Sequence, residues 1–598
     1  MERTRITDTY NEARFRHEAG RFLSLVAEAK TLDEARALMS AHVSTEQFEA
    51  HQSVALVHGS PLYVVRDCAR ALRGMLHRRA DQRAGFSVAR AIWDLAAGRI
   101  RPDLSPAFFA EMTQLIIGLE GRFRFMQPLE PAGPDLRGRE AALKRSDELD
   151  ALWRGVEEIM NRYPGGLDDA SVQRRAVRRE KLLARLRAAP EDFADWRWQV
   201  RHIARDAEAL GKMVALTDAE REAIDMARSG RLPFGVTPYY ASLMDDDPGS
   251  GRDRALRAQV IPTAAYVNHM LANRSDGNCS LDFMLEHDTS PADLVTRRYP
   301  AILILKPFNT CPQICVYCQR NWEIEDAMIG GALAEKAVIE EAIGFIEGHP
   351  AIKEVLVTGG DPLGLPDDQL LPILRRIAAI PHVDLVRIGT RTPVTLPMRI
   401  TPELADGLGA LRDPGRREVM IVTHVEHPYE VTFDMVRAVD RLRRNGIGVY
   451  NQLVYSFYVS RRFEAAKLRM ILKVAGIDPY YTFAPKGKEE TEVYRVPLAR
   501  IFQEQKEEAR LLPGSRRTDE PVYNVPGLGK NHLRAFQHRD LISVLPNGAR
   551  VYDFHPWEKG IVPCEPYAGA DVPILDYLQR LQDTDEDPDE YETIWYYY

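Results

Sequence analysis

The pattern of apolar and polar positions changes character near residue 300. Before that point apolar residues recur at helical spacing. "SPAFFAEMTQLIIGLEGRF" (105–123) sets Ser105 at an N-cap and Pro106 at the first helical position. "TLDEARALMSAHV" (31–43) opens with Thr31 and Glu34 at capping-box spacing. After it, short β-branched runs recur: "AILIL" (301–305), "EVLVTGG" (354–360), "LVRIGT" (385–390), "EVMIVTHV" (418–425), "IGVYNQLVYS" (447–456) and "DPYYTF" (478–483). Helical patterns separate several of them, such as "ALAEKAVIEEAIGFIEG" (332–348) and "FDMVRAVDRLRRNG" (433–446), the latter ending in a C-cap glycine. Alternating strand and helix predicts parallel βαβ units. The fold class is therefore α/β, a partial (β/α)6 barrel preceded by an all-α N-terminal region. In such a barrel the active site lies at the C-terminal ends of the strands.

The same pattern divides the chain into a helical extension (1–190), a helical lead-in (191–295), the barrel (296–485), a C-terminal region (486–570) and an acidic, then aromatic tail (571–598). The basic run "RRAVRREKLLARLR" (174–187) reads as a solvated helix face. In the tail, "DTDEDPDEYET" reads as solvated or disordered, and "IWYYY" is apolar enough to dock on a neighbouring surface, another subunit among them.

Composition narrows the class. At 598 residues, two or three domains are expected. A net charge of -8 gives no basic excess, so no nucleic-acid partner is implied. The sequence shows neither an apolar run of membrane-spanning length nor an apolar N-terminal signal, so the expectation is a cytoplasmic protein without a membrane partner. Six cysteines are too few for a disulfide framework and point to metal or redox chemistry.

Three of those six fall within "FNTCPQICVYCQRN" (308–321), as Cys311, Cys315 and Cys318, directly after the first barrel strand. Structural zinc takes four ligands, usually as two close pairs. Three thiolates suit a [4Fe–4S] cluster with one iron left open. Incidental or zinc-binding cysteines are the competing reading, and Cys68, standing alone, reads as a buried small hydrophobe. "TGGDPL" (358–363) follows the second strand. Its glycines permit close backbone approach to a ligand, and its carboxylate can accept from an ammonium group.

The cysteine spacing on this loop, followed by GGD, resembles the radical SAM superfamily. The resemblance implies that the open iron chelates S-adenosylmethionine (SAM), that Tyr317 lies near its adenine, and that Thr358, Gly359, Gly360 and Asp361 bind SAM. Longer stretches resemble the lysine 2,3-aminomutase family: "DWRWQVRH" (195–202), "TPYYASLMDDD" (237–247), "HDTSPADLVTRRYP" (287–300), "RIGTRTPVTLPMRITPEL" (387–404), "THVEHPYE" (423–430) and "PGLGK" (526–530). Members use the cluster, SAM and pyridoxal 5′-phosphate (PLP) to move an amino group from the α to the β carbon of an amino acid. By this resemblance Lys530 is the catalytic, PLP-binding lysine, with Arg298, Tyr299, Thr390, Arg391 and Gln452 around the cofactor. The family's second arginine after "RYP" is Ile302 here, which changes the phosphate grip. Only Cys564 stands where some members carry a cysteine zinc site, so no zinc is expected. An electron donor such as flavodoxin or ferredoxin and a homo-oligomer are implied.

The family's carboxylate-gripping arginine falls on Arg320. The two aspartates that hold a lysine side chain fall on Lys486 and Asn524, a cation and a neutral amide. Like charges paired in a low-dielectric site disfavour lysine as substrate. A carboxylate side chain suits the pair, so L-glutamate to β-glutamate is the expected reaction. A solvent-facing Lys486, another amino acid, a protein-lysine-modifying enzyme and a decayed binding protein are the alternatives.

Overall fold

The computed structural model describes residues 4–52, 61–123, 136–274, 282, 284–318, 320–485, 489–535, 539–555 and 566–598, with side chains at 61, 321 and 489–491 left aside. The chain divides into two compact units. One comprises Met1–Glu158, Arg495–Leu511 and Pro521–Tyr598, and the other Ile159–Tyr494 and Leu512–Glu520. These units cut across the segments read from the sequence.

The second unit holds the barrel. Strands β2 (Ile302–Phe308), β3 (Glu354–Gly359), β4 (Leu385–Gly389), β5 (Glu418–Thr423), β6 (Gly448–Val454) and β7 (Asp478–Phe483) pair in sequence order. Every neighbouring pair among these is parallel, which is the expected partial (β/α)6 arrangement. A two-residue strand, β1 (Val295–Thr296), pairs antiparallel with β2. Helices 336–347, 367–378, 402–409, 433–444 and 464–475 form the crossovers. Helix 433–444 shows why they form. Thr432 caps it by accepting from the Met435 N–H, Met435, Ala438, Val439 and Leu442 make one buried stripe, and Gly446 follows its end at φ 76°.

The helix over the basic run (Asp169–Leu186) exposes Arg179, Lys181 and Arg185, and departs from the expected solvated face at two arginines. Arg175 and Arg178 are buried. Arg175 donates to the carbonyls of Gly166 and Tyr429 and stacks on the Tyr429 ring at 4.1 Å. Arg178 pairs with Asp245 and donates to the carbonyls of Ser242 and Leu243. Each guanidinium donates to backbone carbonyls of other segments, which a charge count along the sequence cannot register.

In the first unit, Ser105 caps helix 106–119 by accepting from the Phe108 N–H, and Phe22, Leu72, Ile92, Phe108 and Ile116 share one buried core. Strands β8 (Glu520–Val525) and β9 (Gly529–His532) form an antiparallel hairpin, and β10 (Arg539–Val544), β11 (Arg550–Phe554) and β12 (Tyr567–Ala570) an antiparallel sheet. In the tail the acidic side chains of Asp583, Asp585, Asp587, Asp589 and Glu592 are exposed, while its apolar residues are not. Residues Pro588–Tyr596 form a 3-10 helix that buries Tyr591, Ile594 and Trp595 within this same unit. Cys68 is fully buried and its thiol, pushed up to about 12 by burial, donates to the Tyr598 hydroxyl at 3.8 Å. Among the described residues no helix is long and apolar enough to cross a membrane.

Candidate functional site

The cysteine loop leaves β2 and is pinned by backbone hydrogen bonds from Ile314 N to Gly235 O, Val316 N to Gln259 O and Met328 N to Cys311 O. The GGD turn is fastened to it. Gly360 N donates to Phe308 O at 2.7 Å and Asp361 N to Thr310 O at 2.9 Å. Only glycine fits there: Gly359 sits at φ 118°, and a Cβ on Gly360 would lie 2.1 Å from the Thr310 carbonyl oxygen. The two motifs that were separate in sequence are thus one structural piece.

Cys311, Cys315 and Cys318 lie partly buried on this loop without disulfides. Burial pushes the Cys311 thiol well up, and the charges of Asp361, Cys318 and Cys315 push it further. Burial also raises Cys315, while Arg391 opposes the rise. Thiols that interact in this way are neighbours. Among the described residues no three potential ligands converge on a single ion. Three neighbouring thiols on one loop are the donor set that a four-iron cluster takes at three of its irons. Gln313, between the first two cysteines, is buried with neither amide atom hydrogen-bonded, a polar reserve at the loop. Tyr317 donates to Gln259 Oε1 at 3.1 Å and packs edge-on to Tyr494.

Asp361 accepts four hydrogen bonds. Its Oδ1 receives the Leu363 N–H and the Thr390 hydroxyl, and its Oδ2 receives the Arg391 N–H and the Thr392 hydroxyl. Its carboxylate therefore ties β3 to the loop after β4 rather than standing open for an ammonium group. Arg391 is buried as well. It donates to Cys315 Sγ at 2.8 Å, to Glu430 Oε1 at 2.7 Å and to Gln259 Oε1. Glu430, fully buried, also accepts from the Tyr240 hydroxyl at 2.6 Å and from the N–H groups of Glu426 and His427. Internal acceptors thus engage the donors of Thr390 and Arg391, the two residues expected at the phosphate. The sequence motifs "TPYYASLMDDD" and "THVEHPYE" had flagged Tyr240 and Glu430 as a region without assigning them a task.

The other expected residues fall as follows. Thr358 donates to Gly389 O at 3.4 Å. Gln452 lies on β6 beside Tyr481 of β7 in the strand register. Arg298 donates to the Met284 carbonyl, and Tyr299 and Arg298 are both half-buried. Arg320 is held between Glu286 and Glu323. All of these belong to the barrel unit. Asn524 and Lys530 belong to the other unit, where they are direct register partners across the β8–β9 hairpin. Side chains opposite each other in a ladder share a face, so the amide and the lysine stand side by side. Gly527 and Gly529, at φ 67° and 85°, make the tight turn that permits this. Lys486 lies outside the described residues.

The family model of the Radical SAM superfamily matches residues 305–461. An uncharacterized KamA family protein of Methanocaldococcus jannaschii is 45% identical over 539 residues, covering 87% of this chain and 86% of that one. The glutamate 2,3-aminomutase of Clostridioides difficile is 35% identical over 54% of this chain and 72% of its own length. The L-lysine 2,3-aminomutase of Clostridium subterminale is 34% identical over 52% of this chain and 70% of its own length. The matched superfamily region begins on β2 and contains the cysteine loop, GGD and Arg391. With relatives this similar over most of their length, the chain belongs to the lysine 2,3-aminomutase (KamA) family of radical SAM enzymes, whose chemistry uses a [4Fe–4S] cluster and SAM.

Proposed function

We propose that this isomerase uses PLP beside its cluster and SAM, and converts L-glutamate to β-glutamate by moving the α-amino group to the β carbon. The observation that carries the substrate choice is the hairpin register. The residue opposite Lys530 is the neutral Asn524, so that position offers a substrate side chain an amide and no counter-charge for an ammonium group. Lys486 adds a cation in the sequence at the other position expected to read the side chain. A carboxylate side chain matches both. Overall similarity does not choose, because the glutamate and lysine enzymes are nearly equally similar to the chain.

Each residue then has a task. Cys311, Cys315 and Cys318 supply thiolates to three irons and leave the fourth for SAM. Bound there, cluster and SAM supply the radical that removes hydrogen from the substrate's β carbon. Lys530 holds PLP, Asn524 orients the substrate's distal carboxylate beside it, and Arg320 receives the α-carboxylate. Asp361 fixes the GGD turn on which SAM rests, and Arg391 places positive charge beside a cluster thiolate. A flavodoxin or ferredoxin as electron donor, a cytoplasmic setting and a homo-oligomer complete the proposal.

The test is an anaerobic assay of reconstituted protein with SAM, PLP and a reductant against glutamate, lysine, aspartate and alanine. β-Glutamate from glutamate is the expected product. A β-amino acid from another substrate in its place would overturn the glutamate assignment, and no 5′-deoxyadenosine with any amino acid would overturn the PLP aminomutase reading.

A further inference from the structure

Arg320 and Lys306 share a carboxylate. Glu286 accepts from Arg320 Nη1 and from Lys306 Nζ at 3.3 Å through the same oxygen, Oε2. A second glutamate, Glu323, accepts from Arg320 Nη2. The four side chains are between 14% and 20% exposed, so each charge is largely withdrawn from water. Burial and the neighbouring guanidinium both push the Lys306 ammonium down, and Glu286 opposes them. A cation at this spot therefore needs a carboxylate beside it.

The two glutamates are not equivalent. Glu323 stands three residues from Arg320, and its N–H donates to the Arg320 carbonyl at 3.0 Å. It moves with the arginine. Glu286 comes from a separate segment, 34 residues earlier in the chain. The guanidinium keeps a donor in reserve: the Arg320 Nε–H is buried with no hydrogen-bond partner among the described residues. Lys306 lies on β2 against the GGD turn, since a Cβ on Gly359 would meet its Cβ at 3.1 Å. The pair of cations thus sits between the cysteine loop and the SAM-binding turn.

We propose that Lys306 and Arg320 together form the clamp for the α-carboxylate of the amino acid substrate. Glu286 occupies this clamp in the substrate-free protein as an internal carboxylate. Substrate displaces Glu286, while Glu323 stays and keeps the guanidinium in place. Lys306 is the added positioning residue, and Glu286 sets the affinity by competing for the same oxygen site. The proposal rests on the aminomutase reading but not on glutamate, because every 2-amino acid carries this carboxylate.

The test measures binding of L-glutamate, L-alanine and L-lysine by calorimetry to protein loaded with cluster and PLP, without reductant, so that no turnover occurs. Glu286→Gln frees the clamp and is expected to bind the amino acid roughly threefold or more tightly, because a competing occupant lowers apparent affinity by the fraction of open clamp. Lys306→Met is expected to bind roughly tenfold or more weakly. Glu323→Gln is expected to weaken binding, opposite in sign to Glu286→Gln. Should Glu286→Gln fail to fold, Glu286→Asp draws the carboxylate back by one methylene and is expected to tighten binding too. Unchanged or weaker binding in the Glu286 variants overturns the plug, and unchanged binding in Lys306→Met overturns the two-cation clamp. Wild-type protein that binds an amino acid while these variants do not shift it sinks this inference alone. Protein that binds no amino acid in any variant sinks the aminomutase reading with it.

Discussion

The guanidinium of Arg391 bridges the thiol of Cys315, at 2.8 Å, and the carboxylate of Glu430, at 2.7 Å. Glu430 is fully buried, and Arg391 is its ion-pair partner. Breaking a buried pair from one side leaves an uncompensated charge, which costs about 3–5 kcal/mol. Arg391→Met is therefore expected to lose stability on that scale in urea denaturation of the cluster-free protein. Arg391→Met combined with Glu430→Gln removes both charges and is expected to recover most of the loss. The double variant is still expected to retain less iron after reconstitution, because the cation beside the Cys315 thiolate is gone. Equal iron content in wild type and double variant would show that the Arg391–Cys315 contact does not support the cluster.

Asp361 is expected to behave as a tie between two strand ends. Asp361→Asn keeps the shape but turns an amide N–H toward two of its four donors. Unsatisfied buried groups cost roughly 1–3 kcal/mol each, so about 2–4 kcal/mol of stability is expected to go. Urea denaturation without cluster or SAM checks this. A loss well below about 1 kcal/mol would mean that the turn is held by its backbone bonds to Phe308 and Thr310 and not by the carboxylate.

Arg550 pins the C-terminal segment to the helical unit. Its Nε lies 3.1 and 3.0 Å from the two oxygens of Glu111, and its Nη groups donate to the carbonyls of Tyr597 and Trp595. Glu111 and Arg550 are both buried. Arg550→Met strands Glu111 and is expected to cost about 3–5 kcal/mol. Deleting residues 595–598 removes two acceptors, the buried Trp595 and the Tyr598 contact to Cys68 but leaves the ion pair, so a loss at least as large is expected. Thermal melts of both variants decide the order, and a clearly smaller loss on truncation would contradict it.

Much of this was legible in the sequence where the physics is local. Cysteine spacing, GGD after a strand and the alternation of β-branched runs with amphipathic stripes depend on neighbours along the chain, and they placed the barrel and the cluster loop. The partition into units was not legible, since it turns on contacts such as Arg550 with Glu111, 439 residues apart. The internal partners of Arg391 and Asp361 were not legible, because a motif shows which residues are polar and not which groups of the folded chain they meet. Lys306 and Glu286 carried no signal at all: one is a lysine in an apolar strand, the other an acid in an unpatterned loop, and only the fold brings them to one oxygen.

The helix Leu498–Leu511 gives a pH prediction of unusual sign. Glu504, Glu507 and Glu508 are all buried along it, and Arg500 pairs with Glu504 at 2.5 Å. Burial, and next the charges of Glu508 and Glu507, push the Glu504 carboxyl up to about 8 against the pull of Arg500. The folded state therefore keeps a proton that the unfolded chain gives up near pH 4.5. Where the folded state binds more protons, stability falls as pH rises, so this group's contribution is lost between about pH 4.5 and 8 and is level above that. Replacement by a neutral isostere removes the penalty. Glu504→Gln is expected to gain on the order of 2–4 kcal/mol at pH 8 and little at pH 5. Melts of wild type and variant at pH 6, 7 and 8 check this. The wild type is expected to lose melting temperature across that range more steeply than Glu504→Gln, and parallel slopes would show that Glu504 is already ionised in the folded protein.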